Sequence, residues 1–224
     1  MVFDKISRFK MHQTELIELI EQGESSTLEF KRKIASPQKI AKEISAFANT
    51  KGGYLLIGVD DDQSIVGVHS EKDDVDNILF ACDFFLDPPV APKISIINLY
   101  NREIIVAYIP ESKRKPHKLV KDPDAKQPEK RAYIRVGEKS VMASREMARV
   151  LASTTDDKPL RMIFGDMEKR LFVYLEKYER ATVKDFSKLV NISKRRAERL
   201  MVRLVKAGVL QIHADSSSDY FTMV

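Results

Sequence analysis

"AFANTKGGYLLIGVDD", residues 46–61, is the stretch that decides the fold of the first half of the chain. Residues 54–59 are nearly all apolar, which is typical of a strand in the middle of a sheet, with both faces covered. Gly52 and Gly53 precede this strand and predict a tight turn. The G-x-x-x-x-G-K pattern of a phosphate-binding loop is absent, so ATP is not an expected cofactor.

Helical periodicity is clearest immediately upstream, in residues 36–50. Ser36 suits the N-cap and Pro37 the first helical position. Ile40, Ile44 and Phe47 recur at the spacing of one helix face. These residues predict a helix that packs on the central strand.

Helices and strands alternate on both sides of this segment. Further helices are predicted at residues 14–22, 71–86 and 144–153. Strands are predicted at residues 27–31, 65–68 and 131–136, and as a hairpin in residues 92–110 that turns at residues 100–103. Interspersed hairpins and helices favour an α+β fold with a mixed or antiparallel sheet.

The composition is that of an ordinary globular protein, with 43% hydrophobic and 32% charged residues among 224. No apolar run approaches the roughly 20 residues of a membrane span, and the first residues lack the pattern of a signal peptide. We therefore expect a cytoplasmic protein with no membrane partner. Cys82, the only cysteine, reads as a core residue, and no histidines have the spacing of a zinc finger.

Positive charge is concentrated between Ile109 and Arg131, a segment rich in proline and lysine. Residues 110–131 contain eight cations and four anions, a net charge of +4, against +5 for the chain. The segment predicts an exposed loop, and its cations are candidates for contact with phosphates. The candidate residues are Lys113, Arg114, Lys115 and Lys118. The alternative is a solvated loop without a ligand.

Beyond a linker predicted at residues 153–164, three helical patterns follow closely. The third begins after the N-cap candidate Ser193 and stops at Gly208. Its apolar stripe consists of Ala197, Leu200, Met201, Leu204 and Val205. The cations outside this stripe are Lys194, Arg195, Arg196, Arg199 and Arg203.

Arg196, Arg199 and Arg203 are three and four residues apart and therefore share one face of this helix. A row of arginines after a short helix and a tight turn is typical of a helix-turn-helix. The last residues predict a small hairpin with residues 214–219 as its wing. Residues 165–224 thus resemble a winged-helix DNA-binding domain. The alternative is a winged helix used for protein contact or dimerisation.

The segment "GESSTLEFKRK", residues 23–33, contains a second constellation. In a strand, Glu29 and Lys31 share a face while Phe30 points to the other side. With a further carboxylate from residues 60–62, where the central strand ends, such a pair can hold Mg²⁺ or Mn²⁺ beside a phosphate. The alternative is a surface strand with balanced charges and acidic residues that favour a turn.

Taken together, "ESSTLEFKRK", "ISAFANTKGGYLLIGVDDDQSIVGV", "KPH" and "AYIRVGEKSVMASREM" resemble the Schlafen AlbA-type domain, also called a divergent AAA domain, over residues 10–152. The resemblance to nuclease members of that family implies Glu24, Glu29 and Asp61 as ligands of a catalytic metal and Lys31 as the accompanying cation. Those nucleases pair two such lobes around RNA, so the resemblance also implies a homodimer.

The resemblance implies a second class of function, because bacterial proteins that join this domain to a winged helix are described as transcriptional regulators. We therefore expect an α+β Schlafen AlbA-type domain at residues 1–152 and a winged helix at residues 165–224. The first hypothesis is a nucleic-acid-binding protein that regulates transcription. The alternatives are a Mg²⁺- or Mn²⁺-dependent endoribonuclease that acts on structured RNA and a protein-interaction adaptor.

Overall fold

The computed structural model describes residues 7–153, 164–215 and 218–224. Most of the predicted linker, residues 154–163, and the tip of the predicted wing, residues 216 and 217, lie outside the described residues. The chain divides into two compact units, Met1–Met142 and Ala143–Val224. The helix predicted at residues 144–153 groups with the second of these units.

The described residues form seven helices and eleven strands. The helices are α1 Gln13–Gln22, α2 Pro37–Asn49, α3 Glu71–Phe84, α4 Arg145–Ser153, α5 Asp166–Tyr178, α6 Val183–Leu189 and α7 Lys194–Lys206. The strands are β1 Ser7–Arg8, β2 Leu28–Lys31, β3 Gly53–Ile57, β4 Leu86–Asp87, β5 Lys93–Leu99, β6 Arg102–Ile109, β7 Lys118–Val120, β8 Lys130–Val136, β9 Lys139–Met142, β10 Leu210–His213 and β11 Tyr220–Met223.

The larger sheet of the first unit has the order β1-β5-β6-β3-β2. β3 pairs in parallel with β2 and antiparallel with β6, which confirms its predicted position inside the sheet. Its alternating side chains cover both faces: Leu55 and Ile57 pack in the core that holds α2 and α3, and Leu56 packs in the core that holds α1. The mixed α+β fold is confirmed.

Close packing explains the two glycines before β3. A Cβ on Gly52 would lie 2.6 Å from the Ile109 carbonyl oxygen, and one on Gly53 would lie 2.5 Å from the Thr27 carbonyl oxygen. Gly52 also has a φ of +73°, a region that L side chains rarely adopt. Only glycine therefore lets α2 turn directly into β3.

Two predicted elements of the first unit are wrong. Residues 65–68 form no strand, because Val66 and Gly67 both donate backbone hydrogen bonds to the Gly58 carbonyl and fold the segment over the end of β3. Conversely, residues 110–131, which were expected to form an exposed loop, contain the strand β7. This strand pairs with β4 and β8 in a second sheet ordered β4-β7-β8-β9.

The second unit packs α5, α6, α7 and the β10–β11 hairpin around one core. Leu171, Phe186, Met201 and Phe221 are fully buried there. The predicted N-cap of α7 is confirmed, since the Ser193 hydroxyl accepts a backbone hydrogen bond from Arg196. The Thr182 hydroxyl caps α6 in the same way, by accepting from the Asp185 N–H. Across the described ranges, no helix has the length and apolar character that a membrane crossing requires.

Candidate functional site

Glu29 lies in the interior of the first unit and not on an exposed strand face. Its residue is only 7% exposed. Lys31 donates from Nζ to Glu29 Oε1, as expected for two residues on one face of β2, and also to the Phe30 carbonyl oxygen at 2.8 Å. The alternative of a solvated surface strand is therefore wrong for Glu29.

The dominant partner of Glu29 is Arg135 on β8, whose side chain is fully buried. Its Nη1 atom donates to Glu29 Oε2 at 2.7 Å and lies 3.4 Å from Oε2 of Glu43 on α2. Its Nη2 atom donates to the Ser25 carbonyl oxygen at 2.6 Å, and the guanidinium stacks on the Phe47 ring, 4.7 Å from its centroid. One arginine thus joins β2, α2 and β8 around two buried carboxylates.

Glu29 and Asp61 are both close enough to Glu24 for their charges to act on its carboxylate. The Glu24 carboxylate accepts a hydrogen bond from the Phe30 N–H at 2.8 Å. Burial raises the pKa of Glu24 above its ordinary value, and the charges of Glu29 and Asp61 act in the same direction, against the Phe30 hydrogen bond and Lys31. The structure therefore brings the four sequence-predicted residues into one neighbourhood, with Asp61 exposed at its edge.

The side chains of this neighbourhood do not form a metal centre as they are placed. Within residues 7–153, 164–215 and 218–224, no group of three histidine, cysteine, aspartate or glutamate side chains could hold a metal ion. Glu29 directs both oxygens at cations, Lys31 and Arg135. The carboxylates therefore do not fit a divalent ion in this arrangement, and the metal site stays a prediction from the resemblance.

The four loop cations of the first unit have different surroundings. Lys113 and Arg114 are exposed. Lys115 donates to the Thr50 carbonyl oxygen at 3.0 Å and to Glu111 at 2.5 Å, and so contributes to the packing at the end of α2. Lys118 lies in β7 opposite Asp87. The four residues thus separate into two exposed cations and two that are partly buried.

The cations of α7 are presented together. Lys194, Arg195, Arg196, Arg199 and Arg203 are all exposed, and none has an ion-pair partner in the part of the chain that the structure describes. Ala197, Met201 and Leu204 on the opposite face are fully buried. The helix therefore separates an apolar face from a cationic face, as its sequence predicts.

Glu198 is the one acidic residue of α7, and it does not neutralise this cationic face. It is 9% exposed and forms an ion pair with Arg149 of α4, within the second unit. The positive charge of the exposed face is therefore left intact. No sequence pattern predicts this ion pair, because Arg149 and Glu198 are far apart along the chain.

Sequence reasoning missed three residues that hold the first unit together. Asn49 donates from Nδ2 to the carbonyl oxygens of His117 and Tyr133, at 2.8 and 2.9 Å, and accepts from the His117 N–H at 2.7 Å. Arg135 is the second, and the buried His117 is the third. Arg135 carried a signal, since it is a charged residue at a position within the apolar strand "AYIRV".

The sequence profile of the Schlafen AlbA_2 family matches residues 24–144. Among solved structures, the chain is similar to the DIP2311 protein from Corynebacterium diphtheriae, at 19% identity and a TM-score of 0.44, over 64% of this chain and 28% of that one. It is also similar to the N-terminal domain of a putative ATP-dependent DNA helicase RecG-related protein from Nitrosomonas europaea, at 21% identity and a TM-score of 0.39. This similarity covers 66% of this chain and 94% of that one.

The profile match covers more than half of the 224 residues. It begins at Glu24 and includes Glu29, Lys31, Asp61 and Arg135, which are the residues of the carboxylate neighbourhood. By contrast, the chain spans little more than a quarter of the DIP2311 protein. On the strength of the profile match, the chain belongs to the Schlafen AlbA_2 family.

Proposed function

We propose that this chain is a DNA-binding transcriptional regulator, in which residues 165–224 form a winged helix-turn-helix domain and α7 contacts duplex DNA. Membership of the Schlafen AlbA_2 family supports a role connected with nucleic acids. The order α5, α6, α7, β10 and β11 supports the winged-helix part of the proposal, because it places a helical hairpin before a two-stranded wing. The isolated bridge between Ala181 and Phe221 adds a third short strand segment to the hairpin.

The observation that carries the proposal is the unneutralised cationic face of α7. Five exposed cations occupy the first ten residues of the helix, and Glu198 is directed inward to Arg149. Arginine and lysine side chains that neutralise phosphates release condensed counterions, which supplies most of the affinity of non-specific DNA binding. The exposed face of α7 carries five charges of one sign, which suits a polyanionic partner.

The test is the affinity for a fluorescently labelled duplex of mixed sequence, measured by anisotropy at low salt. The variant Arg196→Ala/Arg199→Ala should weaken binding about tenfold. Lys169→Ala/Lys177→Ala is the matched control, because it removes two exposed cations of α5 from the same unit. Equal losses in the two double variants would indicate a general charge effect and would remove α7 as the contact surface.

Three expectations from the sequence stay predictions: the metal-dependent endoribonuclease activity, the homodimer and the cytoplasmic location. The position of Glu29 between Lys31 and Arg135 favours the binding function over the nuclease. A second function at the carboxylates is therefore not proposed.

A further inference from the structure

A second basic surface lies wholly within the first unit, in a groove between the start of α2 and strands β7 and β8. The groove encloses about 250 Å³. Tyr133 and Leu119 provide apolar and aromatic surface. Its four cations are Lys39 and Lys42 on α2, Lys121 immediately after β7, and Arg131 on β8.

Hydrogen bonds fix both walls of this groove. Gln38 at the start of α2 donates from Nε2 to the Lys121 carbonyl oxygen at 2.7 Å. Further along α2, Asn49 donates to the Tyr133 carbonyl oxygen at 2.9 Å. A ligand therefore meets a preformed surface and does not have to order the strands, which lowers the cost of binding.

The charges in the groove are only partly neutralised. Glu129 forms an ion pair with Arg131, with Nε donating to Oε1 at 2.7 Å, and lies 3.8 Å from the Lys121 ammonium. Glu43 lies 3.7 Å from the Lys42 ammonium, but it also contacts the buried Arg135. Lys39 has no ion-pair partner among the described residues. Positive charge therefore exceeds negative charge in the groove.

Tyr133 gives the groove an aromatic surface beside these cations. The Tyr133 ring is half-buried, and the Lys42 ammonium lies 5.7 Å from its centroid. Proteins that bind single-stranded nucleic acids combine a positively charged groove with aromatic rings on which bases stack. In a duplex the bases are paired and stacked on one another, so a single recessed ring has no base face to contact.

We propose that this groove binds single-stranded nucleic acid, with one unpaired base on Tyr133 and neighbouring phosphates at Lys39, Lys121 and Arg131. The cations lie on α2, at the end of β7 and on β8, which suits successive phosphates of a chain better than one isolated phosphate. The groove contains no residue of α7. Single-strand binding in the groove is therefore a function beyond the proposed duplex contact of α7, and the two can be tested independently.

The first test is fluorescence anisotropy with a labelled single-stranded oligonucleotide at low salt. We expect Lys39→Ala/Arg131→Ala to weaken binding about tenfold. The matched control is Lys10→Ala/Lys72→Ala, which removes two exposed cations of the same unit outside the groove. Tyr133→Leu should also weaken binding about tenfold, since stacking is lost while the charge is unchanged. An equal loss in the control pair would overturn the proposal.

A gain-of-affinity variant removes any ambiguity from misfolding. Glu129 is 46% exposed, and Glu129→Gln should free Lys121 and Arg131 for phosphates at little cost to the fold. The expected result is binding about threefold tighter, with a steeper dependence on salt. Unchanged or weaker binding by Glu129→Gln would contradict the assignment.

Competition experiments define the ligand. An unlabelled single strand should displace the probe, whereas mononucleotides at the same phosphate concentration and a blunt duplex of the same sequence should not. Displacement by mononucleotides or duplex as effective as that by the single strand would overturn the single-strand assignment. The groove substitutions should weaken single-strand binding by the same factor when they are made in the Arg196→Ala/Arg199→Ala variant. If they have no effect on binding in that variant, the groove proposal is also overturned.

Discussion

Arg135 on β8 donates a hydrogen bond to Glu29 on β2 at 2.7 Å, across 106 positions of sequence. The pair is buried, and Arg135 also approaches Glu43. A buried carboxylate without a partner is energetically costly, and an arginine between two carboxylates offsets this cost for both. Glu29 and Glu43 are thus neutralised from inside the fold.

This relationship makes Arg135 a stability residue. Arg135→Met removes the shared cation and leaves Glu29 and Glu43 buried without it, which should lower the free energy of unfolding by about 3 kcal/mol or more. Arg131→Met on the same strand is the control, because Arg131 is exposed and should change stability by less than about 0.5 kcal/mol. Urea denaturation measures both, and similar losses in the two variants would contradict the account.

Asn49 should contribute nearly as much as Arg135 to the stability of the first unit. Asn49→Ala deprives the His117 N–H and the carbonyl oxygens of His117 and Tyr133 of a buried partner. Each unsatisfied buried group costs about 1–3 kcal/mol, although the costs are not additive. We expect a loss of about 3 kcal/mol in urea denaturation, compared with almost none for the exposed Asn98→Ala. A loss below about 1 kcal/mol would show that water or neighbouring groups replace Asn49.

His117 should make stability depend on pH. Its Nδ1 atom donates to the Pro88 carbonyl oxygen at 2.7 Å, so the neutral ring accepts at Nε2 from the Ser112 hydroxyl at 2.6 Å. Burial lowers the pKa of His117, and the positive charges of Arg114 and Lys115 act in the same direction, against the Pro88 hydrogen bond and Asp87.

Because the pKa of His117 is lower in the folded chain, the unfolded chain binds more protons between the two pKa values. The stability due to neutral His117 is therefore fully present above about pH 6.5, the ordinary histidine value, and is lost as the pH falls through that window. The measurement is the unfolding free energy of wild type minus that of His117→Gln from pH 7 to pH 5. This difference should shrink with falling pH, and a constant or growing difference would contradict the assignment.

Elements with strong local signals were predictable. The apolar run of β3, the Ser36 cap and Pro37 of α2, and the Ser193 cap of α7 each depend on neighbouring residues, and all are confirmed. The apolar and cationic faces of α7 also follow from residue spacing alone, because residues three or four apart lie on the same side of a helix.

Features that depend on distant pairing were not predictable. The contact of Arg135 with Glu29 requires β8 and β2 to be placed by the whole first unit. β7 has only three residues and little apolar pattern, so its pairing with β4 and β8 determines it more than its own sequence does. The burial of Glu29 likewise depends on Arg135: the apolar residues around Arg135 indicate a buried charge, but no local pattern indicates that Glu29 is its partner.

The most direct test of the central claim is the salt dependence of duplex binding by wild type and by Arg196→Ala/Arg199→Ala. The slope of log Kobs against log salt concentration counts the phosphates that the protein neutralises. If α7 contacts DNA, the slope should become less negative by about two in the double variant, because two phosphate contacts are lost. An unchanged slope, with wild-type affinity at every salt concentration, would contradict the account.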